Sequence, residues 1–109
     1  MLVPVAASIH DIAIAINESD GVNVADLPPS TTLLVRTSNS LYRIVIWRGK
    51  TVTVQGGHHF PRSTLCQFNG SGFGGSVLKP GWIGRGLRME ITAGDRRFVT
   101  SPVLDFATE

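Results

Sequence analysis

The sequence predicts a mainly β domain, a small barrel or sandwich of six to seven strands, on three observations. From Thr31 onward, runs rich in β-branched and aromatic residues recur about every 8–12 residues with turn signals between them. Twelve glycines suit a tightly curved sheet, where glycine marks bulges and corners. No helical period alternates with the strands beyond residue 30, so a β-α-β layout is excluded. A chain of 109 residues is one domain's worth. Residues 1–109 therefore read as a single β domain, with a β core over 31–106 and an N-terminal extension over 1–30 whose structure stays open.

Within the extension, SIHDIAIAIN (8–17) fits two patterns. Ile9, Ile12, Ala13 and Ile16 fall on one face of a helix, and Ser8 with Asp11 resembles a capping box. Ile12, Ile14 and Ile16 also alternate with alanines as in a strand. The balance leans slightly to a short helix, followed by a connector from Asn17 to Pro29 with Asp-Gly and Pro-Pro as breakers.

The β elements follow in order. TLLVRT is the first strand, Ser-Asn-Ser (38–40) is a turn or bulge, and LYRIVIW follows, in which RIVIW is apolar on both faces and so reads as central. Gly49 then supplies a hairpin turn into TVTVQ, with Val52 and Val54 pointing in and Thr51, Thr53 and Gln55 pointing out. STLCQFNG is a further short strand. In RGLRMEIT, Leu87, Met89 and Ile91 share the inner face while Arg88, Glu90 and Thr92 share the outer one. Ala-Gly-Asp (93–95) turns the chain into RRFVTS, which Pro102 ends or bends.

Composition bounds the setting. Apolar residues make up 42% and charged residues 17%, against an average near 25% charged, so part of the surface is either Ser, Thr and Gly or covered by another subunit. Cys66 is the single cysteine, which excludes an internal disulfide. The N-terminus starts without Lys or Arg and is interrupted by His10 and Asp11, unlike a signal peptide, and no apolar run reaches the ~20 residues of a membrane span. The expectation is a soluble, cytoplasmic protein.

Charge is unevenly laid out. Residues 1–35 carry −4, residues 36–97 carry +8 and the tail carries −2. Either the acidic ends lie against the basic middle, or the middle offers a basic face to an anionic partner. The candidate anion- or partner-binding residues are Arg36, Arg43, Arg48, Lys50, Arg62, Lys79, Arg85 and Arg88. Aromatics interleave with them, as nucleic-acid binders require, but Tyr42 and Trp47 have opposite parity and cannot share a face.

Gly70, Gly72, Gly75 and Val77 spell G-x-G-x-x-G-x-V. A dinucleotide loop of this form must open a helix whose N-terminus holds the pyrophosphate. Here Pro80, Gly81, Gly84 and Gly86 follow and break any helix, and no H-R-D or D-F-G segment of a kinase occurs later. The loop reads as a Gly-rich turn or bulge between strands, and no cofactor is expected. His58 and His59 are neighbours, badly placed to share one metal, and no C-x-x-C or H-x-x-x-H spacing supports a metal site. G-x-S-x-G is absent, so a hydrolase around His58 or His59 is only the third function expected, and no catalytic residue is assigned. A non-enzymatic binding or assembly module, forming a homo-oligomer, comes first, and a nucleic-acid-binding small barrel second.

Four words stand out: T-x-N-S-x-Y (Thr37, Asn39, Ser40, Tyr42), G-G-x-x-F-P (Gly56, Gly57, Phe60, Pro61), G-G-S-x-L-K-x-G-W-I-G (residues 74–84) and T-S-P-V (100–103). In this order they resemble a family of small uncharacterised bacterial β-rich proteins, over about residues 35–103. The resemblance implies a bacterial source, glycines that belong to the fold, and nothing catalytic.

Because strand-forming and helix-breaking residues surround the glycine loop, isothermal calorimetry with ATP and NAD is expected to show no binding. A dissociation constant below about 100 μM, roughly −5.5 kcal/mol, would contradict the structural reading of the loop.

Overall fold

The computed structural model describes residues 20–75 and 77–109. The segment read as helix or strand, 8–17, lies outside the described residues. The strands are β1 (Gly21–Asn23), β2 (Thr32–Thr37), β3 (Leu41–Arg48), β4 (Thr51–Gly56), β5 (Phe60–Gly72), β6 (Leu78–Pro80), β7 (Trp82–Gly84), β8 (Arg88–Ala93) and β9 (Arg96–Thr108). One 3-10 turn, Val24–Asp26, follows β1, where the Asn23 side chain accepts a hydrogen bond from the Ala25 amide.

Every pairing is antiparallel. The large sheet runs β4-β3-β2-β9-β8-β5-β6, and β5 also pairs with β4. That extra pairing turns six strands into a closed ring, β4-β3-β2-β9-β8-β5, with β6 added beside the end of β5. The six ring strands are the six that the residue pattern marks, so the mainly β, barrel-like expectation holds. β1 and β7 form a separate two-stranded ribbon, with Val22 opposite Ile83.

Two strands of 13 residues make the closure. β5 pairs with β4 from Phe60 to Gln67, then with β8 from Gln67 to Gly72. β9 pairs with β8 from Arg96 to Pro102, then with β2 from Val103 to Thr108. Each register shift leaves extra residues on one strand. Ile46 and Arg48 oppose Val52 and Thr51, which makes Trp47 a bulge residue. Arg36 and Thr37 oppose Asp105 and Val103, which makes Leu104 another. Phe68 and Gly70 oppose Ile91 and Glu90, with Asn69 extra. Such bulges bend a strand and re-aim a side chain.

The core is the inner face of this ring. Leu33, Val35, Ile44, Ile46, Val52, Val54, Phe68, Met89, Ile91 and Val103 are all buried, as period-two alternation requires. Leu87 is buried just ahead of β8. Tyr42 is buried and Trp47 exposed, as their parity demands. Val24 and Ile83 join the same cluster, so the stretch read as a connector over 17–29 contributes to the core.

The glycine string resolves into ladder and turn. β6, a strand, follows it where a dinucleotide loop needs a helix. Gly70 sits at φ +148°, paired with both Pro80 and Glu90, and a Cβ there would run into the Lys79 carbonyl. Only glycine lets the two backbones approach so closely. Buried Ser71 donates to the Trp82 carbonyl beside it.

One reading needs correction and another is resolved. STLCQFNG is the later part of a 13-residue strand that begins at Phe60, because only its β4 side is paired at first. Of the two alternatives for Pro102, ending β9 is ruled out, since the strand runs on to Thr108. Pro102 occupies the point where that strand changes partner, so its missing N–H costs no ladder bond there. His58 and His59 lie in the β4–β5 turn. On the outer face, the Glu90 side chain is 16% exposed, with Arg97 at 2.8 Å and the Asn69 amide at 3.1 Å.

Truncating Met89 to Ala in this core is expected to cost about 2–5 kcal/mol. Arg88→Ala, one residue away on the outer face, is expected to cost about 1 kcal/mol or less. Urea unfolding of both variants measures the contrast, and equal losses would refute the face assignment.

Candidate functional site

The eight candidate basic residues do not converge. Arg85 lies between Asp20 and Asp105, at 3.2 Å from the latter, with its guanidinium 4.4 Å from the centre of the Phe106 ring. Arg43 meets Glu109 at 3.2 Å. Lys79 sits 3.7 Å over the Trp82 ring, and Arg88 donates to the Thr100 carbonyl at 3.3 Å. Asp20 from the N-terminal block and Asp105 and Glu109 from the tail thus lie against the basic middle. Each such exposed pair is worth about 0–1 kcal/mol.

Arg36, Arg48, Lys50 and Arg62 have no acidic partner among the described residues. They are spread out. Arg48 and Lys50 flank the β3–β4 turn, whereas Arg62 follows the β4–β5 turn at the other end of β4. Five residue steps at ~3.3 Å separate the two ends by roughly 17 Å.

A second feature is apolar. On the outer face, Thr32, Val45, Thr53 and Leu65 stand in one row across β2, β3, β4 and β5. Leu65 is 60% exposed, and Trp47, lifted out by its bulge at the end of β3, is 61% exposed. Val45 and Trp47 also line a shallow groove with Ser30 and Ile46. Farther along, Leu41 is 58% exposed opposite Arg36, beside a hollow that reaches Leu34, Asp105 and Ala107.

A third feature is polar, a cavity of about 190 Å³. Three segments build it: the β2–β3 turn with Asn39 and Ser40, the β4–β5 turn with His58 and His59, and β9 with Val99, Thr100 and Ser101. Tyr42 reaches it from β3. The turns are held in place. Ser40 N–H donates to Thr37 Oγ1 at 3.1 Å, Ser101 Oγ donates to the same oxygen at 2.8 Å, and Asn39 N–H donates to Ser101 Oγ at 3.2 Å. The two imidazoles stand edge to face at 5.5 Å, and His59 also leans on Phe98 at 4.8 Å. Among the described residues no group of three or more His, Cys, Asp and Glu gathers as metal ligands would.

Sequence reasoning named His58 and His59 but did not join them to Asn39, Ser40 and Ser101. The available signal was that three of the four words, T-x-N-S-x-Y, G-G-x-x-F-P and T-S-P-V, are polar or kinked interruptions of an otherwise apolar β pattern. All three meet at this cavity.

Among the described residues no helix is long and apolar enough to cross a membrane. No family model, curated protein or solved structure matches the chain.

Cys66 points inward from β5, and burial pushes its thiol pKa up. The thiolate is the reactive form. Folded protein at pH 8 is therefore expected to react with a thiol-specific chromogenic disulfide far more slowly than the urea-unfolded chain. Equal rates would place Cys66 outside the core.

Proposed function

We propose that this chain is a non-enzymatic binding and assembly module that associates with a second copy of itself through the outer face of β3, β4 and β5. The observation that carries this reading is the pair Trp47 and Leu65, each about three-fifths exposed, flanking Val45 and Thr53 on adjoining strands. Exposed apolar clusters of this kind mark interaction surfaces. On this face Arg43 is neutralised by Glu109, and Arg48 lies at its edge beside Trp47. A twofold pair of identical chains is the simplest closed assembly through such a face. The low charged share of the chain agrees with a partly covered surface. The lone cysteine and the resemblance to small bacterial proteins support a bacterial, cytoplasmic setting.

A nucleic-acid reading rests on a different observation. Trp47 adjoins Arg48 and Lys50, neither of which has an acidic partner among the described residues, and an exposed indole beside cations is a stacking platform. Heparin elution separates the readings. Replacing Arg48 and Lys50 by Ala should lower the eluting salt sharply only if the tip binds polyanions. The hydrolase reading gains no support, because no carboxylate lines the cavity that holds His58 and His59, and an activated nucleophile needs its base oriented.

Light scattering at high protein concentration is expected to give twice the 11.7 kDa chain mass, and Trp47→Glu to return it to one chain. A wild-type mass of 11.7 kDa would overturn the assembly reading.

A further inference from the structure

We propose that the polar cavity between the β2–β3 turn, the β4–β5 turn and β9 binds a small uncharged, hydroxyl-bearing ligand of about the size of one sugar ring. The site is separate from the outer face of β3, β4 and β5, so this inference does not rest on the assembly reading.

The first support is Tyr42. The residue is 6% exposed, yet its hydroxyl makes no hydrogen bond within the protein. Every fully buried side-chain nitrogen and oxygen among the described residues has a partner. The Tyr42 hydroxyl is thus not sealed in the core but opens into the cavity it lines. A phenol carried inward on a core strand, with its polar end left to the cavity, is a hydrogen-bonding group waiting for a partner from outside.

The second support is that the remaining polar groups divide into two sets. Thr100 Oγ1 and Ser101 Oγ are spent on the framework. The Asn39 side-chain amide, the Ser40 hydroxyl and both imidazoles are not, since none makes a side-chain hydrogen bond within the protein. Five groups from three segments therefore face one space unspent.

The third support is that the geometry is fixed beforehand. Gly57 is at φ +63°, and a Cβ there would stand 2.7 Å from the Tyr42 hydroxyl oxygen, so glycine keeps the phenol's place clear. The Thr37, Ser40 and Ser101 bonds hold the opposite wall.

The ligand class follows from the chemistry. No Asp, Glu, Lys or Arg lines the cavity, so it offers no countercharge to an ion. Phenol, amide and hydroxyl each both donate and accept, which is also what a sugar hydroxyl does. The histidine rings, with Val99, give apolar surface for the C–H face of a ring. At about 190 Å³ the space is below the roughly 300–1,000 Å³ that holds a drug-sized ligand, which limits the occupant to one ring.

The test is amide NMR of the full chain titrated with D-glucose, D-galactose, D-mannose and N-acetyl-D-glucosamine, with sodium acetate as a charged control. At least one sugar is expected to shift the amides of residues 39–42, 57–59 and 99–101. Tyr42→Phe, which keeps the ring and the fold, is expected to weaken that binding at least tenfold at an unchanged melting temperature. Asn39→Ala, on an exposed turn, gives the same readout should Tyr42→Phe fail to fold. The proposal is overturned if no sugar moves these amides, if acetate alone moves them, or if the shifts survive removal of both side chains.

Discussion

The pairing of β4 with β5 is the contact on which the rest depends. Without it the six strands form an open sheet whose inner face would meet water. With it, β5 must serve two neighbours along its length, and β9 must do the same on the far side of the ring. A strand that changes partner midway has to bend, and the register shifts at Phe68/Gly70, Arg36/Thr37 and Arg88/Glu90 supply the bends. The glycine string that resembles a phosphate loop is part of this mechanical arrangement. Its constraint is backbone approaching backbone at Gly70, not backbone approaching a ligand.

Closure also decides where function can reside. The interior is filled by aliphatic and aromatic side chains, leaving the outer face and the turns. Bulges then select among outer positions: Trp47 and Leu104 are both extra residues in their ladders, and both are among the most exposed large apolar side chains. Meanwhile the acids at the two ends of the chain occupy Arg43 and Arg85, which breaks up what the sequence presents as a continuous basic block. The cavity arises where two turns meet β9, and its polar character reflects in part the turn chemistry that Asn and Ser supply.

Period-two alternation made the ring strands legible. TVTVQ and RMEIT read correctly because each inward residue is apolar and each outward one polar. The same rule failed at FPRSTLCQF, where Pro61, Arg62 and Ser63 look like a loop, because that part of β5 has a ladder on one side and solvent on the other. β1, β6 and β7 were illegible for a different reason. Three residues carry no period, and Val24 and Ile83 are buried by contacts with distant segments. Of the cavity, His58 and His59 could be singled out as residue types. Their neighbours Asn39 and Ser101 are separated by 62 positions and are joined only by the β2–β9 side of the ring.

That side of the ring has a consequence for how the protein is made. Val35 faces Phe106, so β2 receives its second neighbour from β9, about seventy residues later in the chain. During synthesis, the β2-β3-β4 meander emerges with one edge of β2 bare, and stays so until β9 has left the ribosome. An unpaired edge bearing alternating leucine and valine is a template for strands of other chains. The time between translating β2 and β9 is thus a window in which the nascent barrel is open to mispairing, and shortening that window, by circular permutation that places β9 directly before β2, would remove it.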